Sequence, residues 1–313
     1  MQLSDRIGRR MKLQDLHVLM TVLQAGSMGK AAQRLNTTQP SVSRSIADLE
    51  HAFGVRLLDR HRQGVTPTAF GRALLDCGVA VFDDLRQGVK NIEFLADPTA
   101  GEVRIGSIPP LAASFVSAVA DRLSRRHPRI VFHVLSTHTE LLHRELSERN
   151  LDLLVTQRVG PLADEQLGFE KLYDDEYAVV AGLQNPWVRR RKIELAELMN
   201  DLWTLPPPES ALGAVFKQAF RNSGLDYPRT AVFTVPADVR ISLLETGRFL
   251  SIFSTSRLKF PTKQTHFKVL PVALPLPPVP IGILTLKSRT LNPVTQLFVE
   301  HAREVAKPLA RKW

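Results

Sequence analysis

The spacing of apolar residues along this chain changes twice, and each change predicts a different kind of structure. Leu13, Leu16, Leu19, Met20 and Leu23 recur at three- and four-residue steps, the stripe of an amphipathic helix over 13–25. Gly26 ends it, Ser27 is placed to cap a short second helix through Leu35, and Ala31 and Ala32 let a neighbour approach closely. Asn36 tolerates a left-handed turn, after which Thr37 or Thr38 caps a third helix with Pro40 in its first turn. Val42, Ile46, Leu49 and Phe53 give that helix one buried face, and Gly54 stops it. Gln39, Ser41, Ser43 and Arg44 are left facing outward near its start.

The next stretch, VRLLDRHRQGVTPT (55–68), predicts two short extended runs around His61–Gly64, a β-wing with Arg60 and Arg62 at its tip. From Thr68 to Ala96 the apolar steps approach a heptad seam: Phe70, Leu74, Cys77, Val81, Leu85, Val89, Ile92 and Leu95. A helix of roughly 40 Å is expected. Gly78 and Gly88 each weaken it by about 1 kcal/mol, so it needs a packing partner. Asp97-Pro98 ends it.

Beyond 101 the pattern alternates between strand and helix. Strands are expected at 102–107, 130–136, 151–157, 176–182, 202–205, 231–235, 249–254 and 281–286. Helices are expected at 112–126, 139–149, 193–200, 210–223, 238–247 and from Asn292-Pro293 onward. Such alternation implies parallel sheets covered by helices, here in two lobes. The fold class is therefore α/β: an N-terminal winged helix-turn-helix (12–69), a long linker helix (70–98) and a two-lobed α/β domain (99–313). Lobe I takes about 101–172 and 277–313, and lobe II about 173–276.

Composition adds a partner class. Lys and Arg total 41 against 31 acids, a formal charge of +10, and residues 1–70 carry ten bases and five acids. Half the excess sits in under a quarter of the chain, which favours a polyanion there. The single Cys77 excludes an intramolecular disulfide or a cysteine metal cluster and suits a reducing cytoplasm. The start, MQLSDRIGRRMKLQ, has no apolar core of signal length. The uncharged window 269–286 is interrupted by five prolines, which makes it extended rather than a membrane helix. The histidines have no metal-ligand spacing, and no nucleophile elbow, dinucleotide fingerprint or phosphate loop occurs. No metal, cofactor or catalytic residue is expected. Arg122, Arg125, Arg126 and Arg129, and the run RRRK (189–192), read as solvated surface.

The third helix start has the chemistry of a major-groove reader. Gln39 can pair with adenine, Arg44 with guanine or phosphate, Ser41 and Ser43 with phosphate or base edges, and Pro40 and the Ser β-carbons can lie against a thymine methyl. The helix N-terminus favours a phosphate, and Arg62 can enter the adjoining minor groove.

The stretch SMGKAAQRLNTTQPSVSRSIADLEHAFGVRLLDR (27–60), followed by VTPTAFGRALL, resembles the winged helix-turn-helix of LysR-type transcriptional regulators. EVRIGS, LDLLVTQ and GRFLSIFSTS extend the likeness over roughly residues 12–305, with Met28-Gly29 departing from the more usual Phe-Thr or Phe-Ser. The resemblance implies a cytoplasmic bacterial regulator binding double-stranded promoter DNA, with RNA polymerase as a partner. It further implies dimers through the linker helix, assembled as tetramers, and a periplasmic-binding-protein-like (type 2) effector domain. By position it carries over DNA contacts to Ser27, Gln39, Pro40, Ser43, Arg44 and Arg62, beside which Thr38, Ser41 and Arg60 stand as candidates. An effector (an organic acid, aromatic acid or sugar derivative) would lie between the lobes. Its contacts would be Ser107, Ile108, Pro109, Ser136, Thr137, Thr139, Pro207, Val235 and Asp238, with Arg158 able to meet a carboxylate. Ser107 and Thr137 are equally placed as helix caps. The alternatives are a non-regulatory intracellular α/β solute-binding protein, or an architectural DNA-binding protein.

Overall fold

The computed structural model describes residues 11–62, 64–158, 164–260 and 267–310. The basic start (1–10) and Gln63, within the segment read from sequence as the wing tip, lie outside them. The chain divides into two compact units, residues 1–90 and 91–313.

In the first unit α1 (Leu13–Ala25), α2 (Met28–Arg34) and α3 (Gln39–Phe53) are punctuated as the residues require. Gly26 and Gly54 are both left-handed at φ 69°, and Asn36 is left-handed at φ 48°. Ser27 Oγ accepts the Lys30 N–H (3.1 Å), and Thr38, rather than Thr37, caps α3 by accepting the Ser41 N–H (3.4 Å). Leu19, Val22, Ala31, Val42, Ile46, Leu49 and Leu57 form the core. Leu13 is a correction: it is 48% exposed, because the first turn of α1 overhangs this core and Val18 and Val22 fill it instead.

The wing is β1 (Leu58–His61) paired antiparallel with β2 (Gly64–Pro67). Glu50 Oε1 accepts the N–H groups of Leu57 (2.8 Å) and Leu58 (3.3 Å), fastening the wing to α3. The Val65 N–H donates to Gly26 O (2.9 Å), and a Cβ on Gly64 (φ 142°) would stand 2.5 Å from that oxygen.

Thr68 caps α4 (Ala69–Ala96). Gly78 does more than weaken this helix. A Cβ there would meet Met20 Sδ at 3.0 Å and Leu16 Cδ1 at 3.1 Å, so its bareness lets α1 approach. The inward positions of α4 are Gly71, Gly78, Asp83 and Gln87, whereas the predicted seam is largely uncovered. Phe70, Leu85, Val89, Ile92 and Leu95 are 48–81% exposed, and Cys77 is exposed as well.

The second unit holds two five-stranded sheets. Sheet I contains β3 (Ala100–Ser107), β4 (Arg129–Ser136), β5 (Leu153–Gln157), β6 (Leu167–Asp175) and β12 (Val279–Leu286), in the order β4-β3-β5-β12-β6. Sheet II contains β7 (Tyr177–Gly182), β8 (Leu202–Leu205), β9 (Thr230–Phe233), β10 (Phe249–Ser254) and β11 (Phe267–Val269), in the order β11-β7-β10-β8-β9. These sheets are mixed, not parallel as expected. β12 runs antiparallel to β5 and β6, and β7 antiparallel to β10 and β11. Each is the strand on which the chain has just crossed from one sheet to the other, so it enters from the opposite end.

Helices α5 (Ser117–Arg126), α6 (Thr139–Ser147), α7 (Ala211–Asn222), α8 (Ala237–Glu245), α9 (Thr255–Lys259) and α10 (Pro293–Ala306) complete the unit. A helical turn at Pro109–Leu111 and a π-helical stretch at Ala112–Val116 precede α5, so this run starts three residues before the expected 112. The helix expected over 193–200 is a single 3-10 turn, Leu195–Leu198. Strands β6 and β11 and helix α9 were not predicted. Val103, Ile105, Phe115, Tyr173, Ile283 and Phe298 centre one core, and Trp203, Phe216, Phe220, Leu250 and Ile252 the other.

Buried polar residues fix two joints. Asp152 pairs with Arg289 (2.9 Å) and accepts the Arg104 N–H (2.8 Å). Asp175 Oδ1, where β6 passes to β7, accepts the N–H groups of Glu176 and Ser256 and the Thr255 hydroxyl, each at 2.9 Å.

Candidate nucleic-acid interface and small-molecule site

A helix whose opening turn is polar can meet a partner only if its apolar residues alone can seat it. In α3 they do: Val42, Ile46 and Leu49 are buried, while Thr38, Gln39, Pro40, Ser41 and Arg44 are exposed and Ser43 is half-buried. The Thr38 and Ser41 hydroxyls bond each other (2.9 Å), so both are oriented by the cap.

Beside this turn the wing folds back toward α2 and leaves a groove of about 530 Å³. Ser27, Lys30, Gln39, Arg60 and Arg62 line it, and no carboxylate does. Lys30, Arg60 and Arg62 are exposed. Three cations, a helix-start amide and a capping hydroxyl around one concavity suit a phosphodiester backbone with a base edge within reach. Of the residues singled out in the sequence, Ser27, Gln39, Arg60 and Arg62 are thus brought together. Arg44 lies further along α3, outside the lining. Lys30 was missed, because only the wing's return to α2 makes it part of the same surface.

The small-molecule candidates fall at the carboxyl ends of strands, where open α/β sheets bind ligands. In sheet I, Ser107 ends β3 beside β5, and Ser136 ends β4. Ser107 is completely buried with its hydroxyl donated to Val155 O (2.8 Å), and Thr137 bonds His138 Nδ1 (3.1 Å). Neither hydroxyl caps the helix that follows: the N-cap positions are Ile108 and His138. Ile108 is half-buried against the core, whereas Pro109, Ser136 and Thr139 are exposed. Arg158 is exposed and meets no carboxylate among the described residues. Its guanidinium lies over the Phe169 ring (5.1 Å) and its backbone N–H donates to Pro280 O.

In sheet II, Pro207 is half-buried just past β8, and Val235, just past β9, is 51% exposed. Asp238, in the first turn of α8, pairs with Arg257 at 3.5 Å. Spacing gave no sign of the neighbours of that pair. Arg240, only 3% exposed, donates Nη1–H to Ile252 O (3.0 Å) and lies 4.5 Å from the Phe253 ring centroid. Burial, then the adjacent Arg257, pushes its pKa down to about 10, while burial pushes the nearby Tyr177 up to about 12.

Four members of the other basic groups have partners at the surface. Arg122 pairs with Glu304, Arg125 with Asp121 and Arg129 with Asp97, and Arg190 of the 189–192 run lies over Trp187. Among the described residues, no group of three or more His, Cys, Asp or Glu side chains could hold a metal, and no helix is long and apolar enough to cross a membrane.

Comparison with known proteins bears on both units. Residues 13–72 match the bacterial regulatory helix-turn-helix model of the lysR family, and residues 96–307 match the LysR substrate binding domain. The transcriptional regulator GbpR of Azospirillum brasilense is 23% identical over 285 residues, 91% of this chain and 83% of its own. The regulator TdcA of Escherichia coli is 24% identical over 94% of this chain and 93% of its own. Among solved structures, a full-length single-residue variant of OxyR from Pseudomonas aeruginosa superposes with a TM-score of 0.65 at 20% identity, covering 97% of this chain and 99% of that one. CbnR in complex with its target DNA superposes with a TM-score of 0.54 at 21% identity, covering 95% of this chain and 100% of that one.

Proposed function

The chain belongs to the LysR family of DNA-binding transcriptional regulators, which are not enzymes, and from that premise we propose how its own residues divide the work. The cationic groove between α2, α3 and the wing carries the reading. Gln39 reads a base edge from the first turn of α3, with Pro40 and Ser43 against neighbouring bases and Arg44 on the next base or phosphate. Ser27, Lys30, Thr38, Ser41, Arg60 and Arg62 hold the phosphate backbone. The partner is promoter duplex, a reading supported by the fold shared with CbnR, whose structure holds its target DNA.

The uncovered seam of α4 supports association with a second copy, and the two α/β sheets support an effector bound at their strand ends. Effector binding would then change how a dimer, or a dimer of dimers, bends DNA and meets RNA polymerase.

Selection of preferred sites from randomised duplexes, followed by titration at two salt concentrations, tests the DNA reading. We expect a recovered consensus and an affinity that falls as salt rises. Equal affinity for every duplex would instead mark an architectural DNA-binder, and no DNA binding at all a solute-binding protein.

A further inference from the structure

Sheet II has a topological switch point. The parallel neighbours β8 and β10 send the chain in opposite directions, β8 toward β9 at one edge and β10 toward β11 at the other. Crevices at such points are ligand sites in open α/β sheets. At this one stands a buried cation that no acid among the described residues pairs.

Arg240 reaches from α8 to the carboxyl end of β10, where Nη1–H is satisfied by Ile252 O. Its Nε–H is buried and has no hydrogen-bond partner among the described residues. That N–H belongs to the edge of the guanidinium fork that pairs with a carboxylate or phosphate. A second guanidinium, Arg257, stands 5.8 Å from the same Phe253 ring that Arg240 covers at 4.5 Å. The groups that perturb Arg240 are this second cation and the phenols of Tyr227 and Tyr177; no carboxylate is among them. Among the described residues, the one acid paired with either arginine is Asp238, at 3.5 Å from Arg257, and its side chain is 96% exposed. Two desolvated arginines served by a single, loosely held, solvent-facing carboxylate leave positive charge that folding alone does not require.

We infer that Arg240 and Arg257 form an anion-recognition site for the effector, which is a small organic anion presenting a carboxylate or phosphate, and that Asp238 occupies Arg257 until this anion displaces it. The inference rests on the reading that lobe II takes part in effector binding. Arg158, which the sequence offers as able to meet a carboxylate, lies over the Phe169 ring.

The test uses full-length protein and thermal melting with inorganic phosphate, sulfate and acetate, against chloride at constant ionic strength. A saturable rise in Tm is expected with at least one oxyanion. Arg257→Met should abolish it. Asp238→Asn should tighten the midpoint by about threefold, the size of a lost exposed ion pair. Arg240→Met should abolish the response and raise the Tm of the ligand-free protein; should that variant not fold, the Arg257 and Asp238 variants decide. An oxyanion response that survives Arg257→Met, or no response in wild type, overturns the inference. A parallel screen of neutral sugars and amides separates the two levels. A neutral hit that shifts both Tm and DNA affinity overturns the anion class and leaves the effector reading standing. No hit from either screen overturns both.

Discussion

Gln39 and Lys30 share one groove, and the proposed division of work between them, base edge against phosphate, is separable by substitution. Gln39→Ala should cost about 1–3 kcal/mol at one base position of a selected site and little on random duplex. Lys30→Ala should weaken all duplexes alike and lower the salt slope by about one. Fluorescence anisotropy on matched and mismatched duplexes at several salt concentrations reads both. The buried Arg289 calls for a different measurement. Arg289→Ala strands Asp152 as a buried, half-satisfied charge, so a loss of about 3–5 kcal/mol in urea unfolding is expected. At this scale, residues within one local segment were legible in the sequence: Ser27, Asn36, Gly54 and Asn292 sit where local backbone rules put them. The surroundings of Lys30, Arg240 and Arg257 were not, because they come from neighbours remote in sequence, which no spacing encodes.

Among elements, the wing depends on a contact that only glycine permits. Gly64→Ala should cost about 1–3 kcal/mol through strain at φ 142°, with more from the clash with Gly26 O, and should selectively weaken DNA binding by unseating Arg60 and Arg62. The exposed seam of α4 predicts that Ile92→Ser with Leu95→Ser shifts sedimentation toward monomer while circular dichroism stays unchanged. Where that helix ends, hydrogen bonds from Thr99, then the Arg129 charge, hold the Asp97 carboxyl below its usual range. A depressed folded pKa stabilises above the unfolded value, and that contribution is lost as pH falls through the carboxylate range. Asp97→Asn should therefore blunt the acid limb of the stability profile. Helices with strong caps and strands with dense β-branched runs were readable. The antiparallel sense of β7 and β12 was not, since alternation of strand and helix says nothing of the end from which a strand enters. Strand β6 went unseen because LGFEKLYDD mixes charges into both faces, and 193–200 held too few turns to outlast its caps.

For the molecule as a whole, the charge excess and the split into a small basic unit and a larger α/β unit agree with a regulator that senses and binds in different places. Lobe II runs continuously from β7 to β11, but sheet I takes its fourth strand, β12, from residues 279–286 and places it between β5 and β6. Its central neighbours are therefore made more than a hundred residues before the strand that joins them. On the ribosome, the edges of β5 and β6 that face β12 must wait open while all of lobe II emerges, and lobe II is free to fold first. A released chain truncated after residue 276 should show protease-resistant lobe II fragments and none from lobe I. Premature stops between residues 277 and 286, which remove part or all of β12, should likewise spare lobe II and leave its companion a substrate for quality control.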